Sequence, residues 1–210
     1  MASNQYTEDI AHIRSMMERS SRFISLSGWA GILPGIFALT GLALAFWLIQ
    51  ISKTSGLYDN GVDNKSPLAF QLVLTAFVVL ALSVFSSWYT CMRKAKAEHQ
   101  STWSPAIQNM LIYFSIPLIA GAVVVGWVYI KEDWGLMAPV ILSFYGLALI
   151  QASHFTLKSV YWLGLIEISL ALLAGIPGWG IPILAIGFGF VHIIYGVLQF
   201  TPRATKKNLA

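Results

Sequence analysis

Six long apolar runs alternate with short polar segments along the chain, at approximately 26–50, 68–90, 107–130, 135–153, 159–176 and 181–200. Runs of roughly 18 to 25 apolar residues match the hydrocarbon thickness of a bilayer when coiled as α-helix. A helix satisfies its own backbone inside lipid, whereas a barrel strand would alternate apolar and polar residues, and no such alternation is present. The pattern predicts an all-α membrane protein: six transmembrane helices and a short N-terminal amphipathic helix. Three segments follow, with 1–25 a cytoplasmic amphipathic stretch, 26–201 a single six-helix transmembrane domain, and 202–210 a cytoplasmic tail.

Local signals sharpen the boundaries. Residues 7–24 read as the amphipathic helix, with Thr7 as its cap, Glu8 and Asp9 at its positive end, and Ile10, Ile13, Met16, Met17 and Ile24 on one face. Such a helix lies on the inner membrane surface, or docks a cytoplasmic partner. Pro67 and Pro105 each follow a serine, the arrangement of a capped first turn. Pro34, Pro117 and Pro139 fall inside spans, where they bend a helix or loosen its ladder. The loop 51–67 is the only long one; its Asp and Asn residues lack EF-hand spacing, so it reads as a turn-rich surface loop.

Composition agrees with lipid as the main solvent. The chain is 57% hydrophobic and 10% charged, against about 25% charged in a typical soluble domain. The polar, acid-containing first 22 residues carry no sign of a cleaved signal. One cysteine, Cys91, excludes an intrachain disulfide. Arg14, Arg19, Arg22, Arg93, Lys94, Lys96, Lys158, Arg203, Lys206 and Lys207 fall on one side of the expected topology, and only Lys53, Lys65 and Lys131 on the other. Positive residues mark the cytoplasmic face, so both termini are expected inside. Anionic headgroups suffice to explain the net charge of +4, and no nucleic acid is implied. The tryptophans cluster near span ends, as interfacial anchors do.

One ionisable residue interrupts the fifth run: Glu167 in "SVYWLGLIEISLALL". A carboxylate at mid-membrane is costly, so it should face the bundle with a partner or a proton. It lies eight residues from the expected entry of its span at Ser159, about 12 Å of helix. The same count from the cytoplasmic ends of the sixth, fourth and third spans reaches His192, Tyr145 and Ser115. These four residues form a candidate ligand or proton site. Gly164 precedes Glu167 by three residues, and Gly189 and Gly196 flank His192. Small-residue stripes mark close helix contacts, and the short link "GIPGWG" makes spans five and six antiparallel neighbours. Glu167 and His192 are therefore expected to meet, either as structural glue or as a titrating site on a solute or ion path. Ser27, Gly31 and Gly35 form a similar stripe on the first span, for packing against a helix of the same chain or of a second copy.

Other chemistries find no foothold. His192 is the only histidine deep in a span, with His154 at the inner edge, so a bis-histidine haem and a redox-subunit reading are the least supported, and no cofactor is implied. No residue cluster has metal-site spacing, and no phosphate-binding or nucleophile-elbow motif occurs.

The stretches "SRFISLSGWAG", "FYGLALIQASHFT", "YWLGLIEISLALL" and "GFGFVHIIYG" together resemble a family of bacterial six-span membrane proteins of uncharacterised activity. The resemblance implies a bacterial inner-membrane location and no activity. The leading expectation is a non-enzymatic packing, sensory or partner-binding module, a homo-oligomer or a subunit of a membrane complex. The alternative is a small proton-coupled transporter or channel using Glu167 and His192.

Overall fold

The computed structural model describes residues 27–54, 66–98 and 103–200. The expected N-terminal amphipathic helix, most of the 51–67 loop and the C-terminal tail lie outside the described residues. Within them the chain forms α1 (Trp29–Thr54), α2 (Pro67–Ala97), α3 (Pro105–Ile130), α4 (Trp134–Ser153), α5 (Lys158–Ala174) and α6 (Gly180–Leu198), with no strand among the described residues. Five of the six, all but α5, are long and apolar enough to cross a membrane. α5 is shorter, at 17 residues.

Boundaries follow local chemistry. The Ser66 hydroxyl accepts from the Ala69 N–H at 3.1 Å, and Ser104 from Ile107 at 3.4 Å, each just ahead of its proline. α2 continues seven residues beyond the apolar run ending at 90. That extension, CMRKAKA, is rich in good helix formers, and its Lys94 and Lys96 suit the negative C-terminal end. The turn after α3 is a Schellman closure: Asp133 N–H donates to the Val128 carbonyl at 3.1 Å and Glu132 N–H to Tyr129 at 3.2 Å. Glu132 takes the left-handed φ of 58° there, a position usually given to glycine.

α6 is the centre of the bundle, touching α1, α4 and α5, while α2 packs on α1 and α3 on α4. Two apolar clusters sandwich the middle. Toward the α5–α6 link are Ala138 and Leu142 of α4, Ala171 and Ala174 of α5, and Ile183 of α6. Toward the other end are Leu149, Leu157, Val160 and Leu163, with Phe114, Tyr145, Val191 and Tyr195 around them. A third joins the ends of α2 and α3 through Cys91, Ala95 and Ile107. The outward faces of α2 and α3 are large and apolar, including Phe77, Phe85, Ile116 and Ile119. In water such faces would be a liability, whereas in lipid they need no partner.

The small-residue stripes make contacts within the chain. A Cβ on Gly31 would lie 2.9 Å from both the Gly196 Cα and the His192 carbonyl oxygen, and one on Gly35 would lie 2.8 Å from the Gly189 carbonyl. A Cβ on Gly28 would meet the Gly196 carbonyl at 2.7 Å, and one on Gly196 the Gly28 carbonyl at 2.6 Å. Ser27, at the head of the stripe, is buried. Of the two expected partners for this stripe, the one it contacts is α6 of the same chain.

Candidate functional site

Glu167 sits on the inner face of α5 because that face carries the small residues. Gly164, one turn earlier, is backed directly onto Gly146 of α4: a Cβ on either would lie 2.6 Å from the other's carbonyl oxygen. This close approach draws Glu167 into the bundle, where its exposure is 0%. Its side chain points at α6. A Cβ on Gly187 would fall 2.5 Å from Glu167 Oε2, so the carboxyl group occupies the space a larger residue would fill.

α6 changes winding at this level. Residues Ala185–Val191 form a π-helical segment, and regular α-helix resumes at His192. The His192 backbone N–H bonds to the Gly189 carbonyl, three residues back. Its ring Nδ1 lies 2.9 Å from the Gly187 carbonyl, five residues back. A carbonyl only accepts, so Nδ1 carries the proton in this bond. Nε2 of the same neutral ring then accepts from the Tyr145 hydroxyl, 2.7 Å away. Phe188 stacks at a tilt against both rings, with centroids 4.9 Å from Tyr145 and 5.9 Å from His192.

Glu167 Oε1 stands 3.4 Å from His192 Nδ1, close enough for an ion pair if the ring is protonated twice. Yet the Nδ1 proton is already directed at Gly187, and neither Glu167 oxygen has a hydrogen-bond partner among the described residues. A buried ionised carboxylate without donors is expensive, by several kcal/mol in general. The arrangement is thus an orphaned acid beside a satisfied Tyr145–His192–Gly187 chain.

Three of the four residues expected at one level come together: Glu167, His192 and Tyr145. Ser115 does not join them. Its hydroxyl donates to the Leu111 carbonyl of its own helix at 2.7 Å. The residue before it, Phe114, faces the cluster and meets the Tyr145 ring edge-to-face at 6.3 Å. A depth count fixes height along a helix and says nothing about azimuth, which shifts by about 100° per residue. Gly187 and Phe188 join the cluster without any mark in the sequence pattern. An α-helical period keeps a residue five positions before His192 off its face; the wider π turn brings it there. Among the described residues no group of three or more His, Cys, Asp or Glu side chains could hold a metal ion.

Comparison with protein families, with curated proteins and with solved structures returns no match. The bacterial family resemblance therefore rests on the four sequence stretches alone.

Proposed function

We propose that this chain is a non-enzymatic six-span protein of a bacterial inner membrane, with both termini cytoplasmic, and that it acts as a proton-responsive sensory module whose proton-binding group is Glu167. The carrying observation is that the fully buried Glu167 has no hydrogen-bond donor on either oxygen, although a histidine donor lies within reach. A purely structural pair would direct that donor at the carboxylate. An acid left unpaired in an apolar interior is suited to taking up and releasing a proton, and intramembrane acids commonly serve in this way.

Two observations support the wider reading. α5 is 17 residues, about 26 Å of helix, at the short end of the spanning range. Its flanking turns place Lys158, Tyr161 and Trp162 at one end and Trp179 just beyond the other, residue types that prefer the interface. The asymmetry of Lys and Arg supports the cytoplasmic termini.

Infrared difference spectra of the reconstituted protein test the proton site. A carboxyl C=O band should appear and vanish with pH, and it should be missing in Glu167→Gln. A wild-type spectrum without a titrating band that this substitution removes would sink the reading.

A second reading, proton-coupled transport of a solute or ion, is favoured by the π-helical segment beside the acid, since such segments frequently mark functional sites. Proteoliposome flux driven by a pH gradient separates the two: transport predicts flux that Glu167→Gln abolishes, and a sensory module predicts none.

A further inference from the structure

A second polar cluster lies away from Glu167, where α4 turns into α5. A cavity of about 300 Å³ opens there, lined by Ser153, His154, Lys158, Tyr161 and Trp162. This is the lower end of the range for ligand-sized pockets. The turn beneath it is well tied: Phe155 N–H donates to the Ala152 carbonyl at 3.0 Å, and the Thr156 hydroxyl to the same oxygen at 3.1 Å.

The charge in this cavity is one-sided. Lys158 makes no ion pair among the described residues, and no acidic side chain lines the walls. Glu98 is engaged by Lys94, Glu132 and Asp133 lie at the opposite end of α4, and Glu167 is enclosed in the bundle. Lys158 is exposed at the rim of the cavity, so its ammonium is available to an anion from outside the described residues. The exposed His154 ring lines the same cavity and adds a second donor. The Ser153 hydroxyl donates to the Ile150 carbonyl at 2.6 Å, which leaves its oxygen lone pairs to accept.

The remaining walls are aromatic. Tyr161 and Trp162 meet edge-to-face at 5.8 Å, and both are exposed. Rings of this kind at the end of apolar helices settle at headgroup depth. A cation for a phosphodiester, an acceptor for a hydroxyl and an indole for the glycerol backbone are combined in one place.

We propose that this cavity binds the headgroup of an anionic membrane phospholipid, with its phosphate on Lys158 and His154 and its glycerol backbone against Trp162. A free phosphate ion would share the cationic contacts and leave the aromatic walls unused. The inference rests on α4 and α5 as membrane spans and is independent of the protonation of Glu167.

The test is lipid retention by the full chain, read by native mass spectrometry after release from nanodiscs of phosphatidylglycerol and phosphatidylcholine in equal parts. The wild type should keep one phosphatidylglycerol in preference to phosphatidylcholine. Lys158→Gln should weaken that preference about tenfold, as expected for a charge-assisted contact. His154→Gln should weaken it in the same direction and stands in if Lys158→Gln fails to fold, which circular dichroism would reveal. Lys96→Gln, exposed near the end of α2, should leave it unchanged. Soluble glycerol phosphate in excess should leave the lipid in place. Equal retention of the two lipids, an equal effect of Lys96→Gln and Lys158→Gln, or displacement by glycerol phosphate would each overturn the proposal, the last in favour of a free-anion site.

Discussion

Two glycine crossings hold the polar centre, and they differ in what they position. At the first, Gly146 of α4 and Gly164 of α5 are reciprocal neighbours, each aimed at the other's carbonyl. These helices are joined by a short turn, so their antiparallel contact is local in sequence. At the second, Gly28 just before α1 and Gly31 and Gly35 within it meet Gly189, His192 and Gly196 of α6, helices from opposite ends of the chain. The first crossing delivers side chains: Tyr145 adjoins Gly146, and Glu167 follows Gly164 by one turn. The second delivers backbone: the His192 carbonyl rests on Gly31 while the histidine ring projects the other way, toward Tyr145 and Glu167. One crossing sets where the acid is, and the other sets where the π segment and its histidine are. Small residues here act as spacers that decide how closely polar groups can approach.

The sharpest way to break this comparison is to wedge each crossing apart. Gly164→Leu should have the largest effect, about 3 kcal/mol or more of lost stability, because its side chain would meet backbone that cannot yield. Unfolding in bicelles, followed by steric trapping, would measure it. Gly31→Leu should cost somewhat less, about 2 kcal/mol, since its nearest contacts are at 2.9 Å instead of 2.6 Å. The variants should also separate by signature: Gly164→Leu displaces Glu167, and Gly31→Leu displaces the π segment. A Gly31→Leu protein with wild-type stability but altered oligomeric state would show that the stripe serves a second copy of the chain.

The α1–α6 crossing is readable as a small-residue stripe, whereas Gly164, expected to face the sixth span, packs instead on Gly146 of α4, which no stripe in the sequence marks. The apolar runs place each helix to within a few residues except at the end of α2. There the hydropathy falls while helix propensity persists through Arg93, Lys94 and Lys96. The cluster is legible in part for the same reason. Glu167, Tyr145 and His192 are polar groups at one depth, and depth follows from a simple residue count. Ser115 fails because its rotation about α3 turns it aside, and sequence spacing along a different helix carries no information on that angle. The Gly187 contact is hidden by the π segment, whose wider turn breaks the 3.6-residue period on which a sequence reading depends. The orphaned state of Glu167 is hidden too, since it arises only when the folded α6 gives the His192 Nδ1 proton to Gly187.

A smaller effect tests whether the acid and the histidine are coupled across the two crossings. Glu167→Gln and His192→Leu should each destabilise the protein, and the double variant should recover about 1 kcal/mol relative to the sum, a moderate value within the range seen for contacting residues. The 3.4 Å separation and the competing Gly187 carbonyl argue against stronger coupling. Additive effects would mean that His192 belongs to the Tyr145–Gly187 chain alone and that Glu167 stands by itself, with the proton proposal then resting on the acid without the ring.

The smallest expected effect comes from a glycine that supports no crossing. A Cβ added to Gly126, within α3, would have nothing within 4 Å. Gly126→Ala therefore removes no approach between helices, while alanine has the higher helix propensity and restricts the unfolded chain. The expected outcome is a gain of about 0.5 kcal/mol, below the soluble-helix value of roughly 1 kcal/mol, because a bilayer already enforces helical hydrogen bonding in the unfolded reference state. The same bicelle unfolding measurement reads it. Set beside Gly164→Leu it needs a matched control, since leucine is larger than alanine. Gly164→Ala supplies that control and should destabilise, as even a methyl group there meets the Gly146 carbonyl at 2.6 Å. Opposite signs for the two alanine substitutions would tie the crossings to close backbone approach. A destabilising Gly126→Ala would instead indicate that α3 carries a helix contact of its own, outside those that build the polar centre.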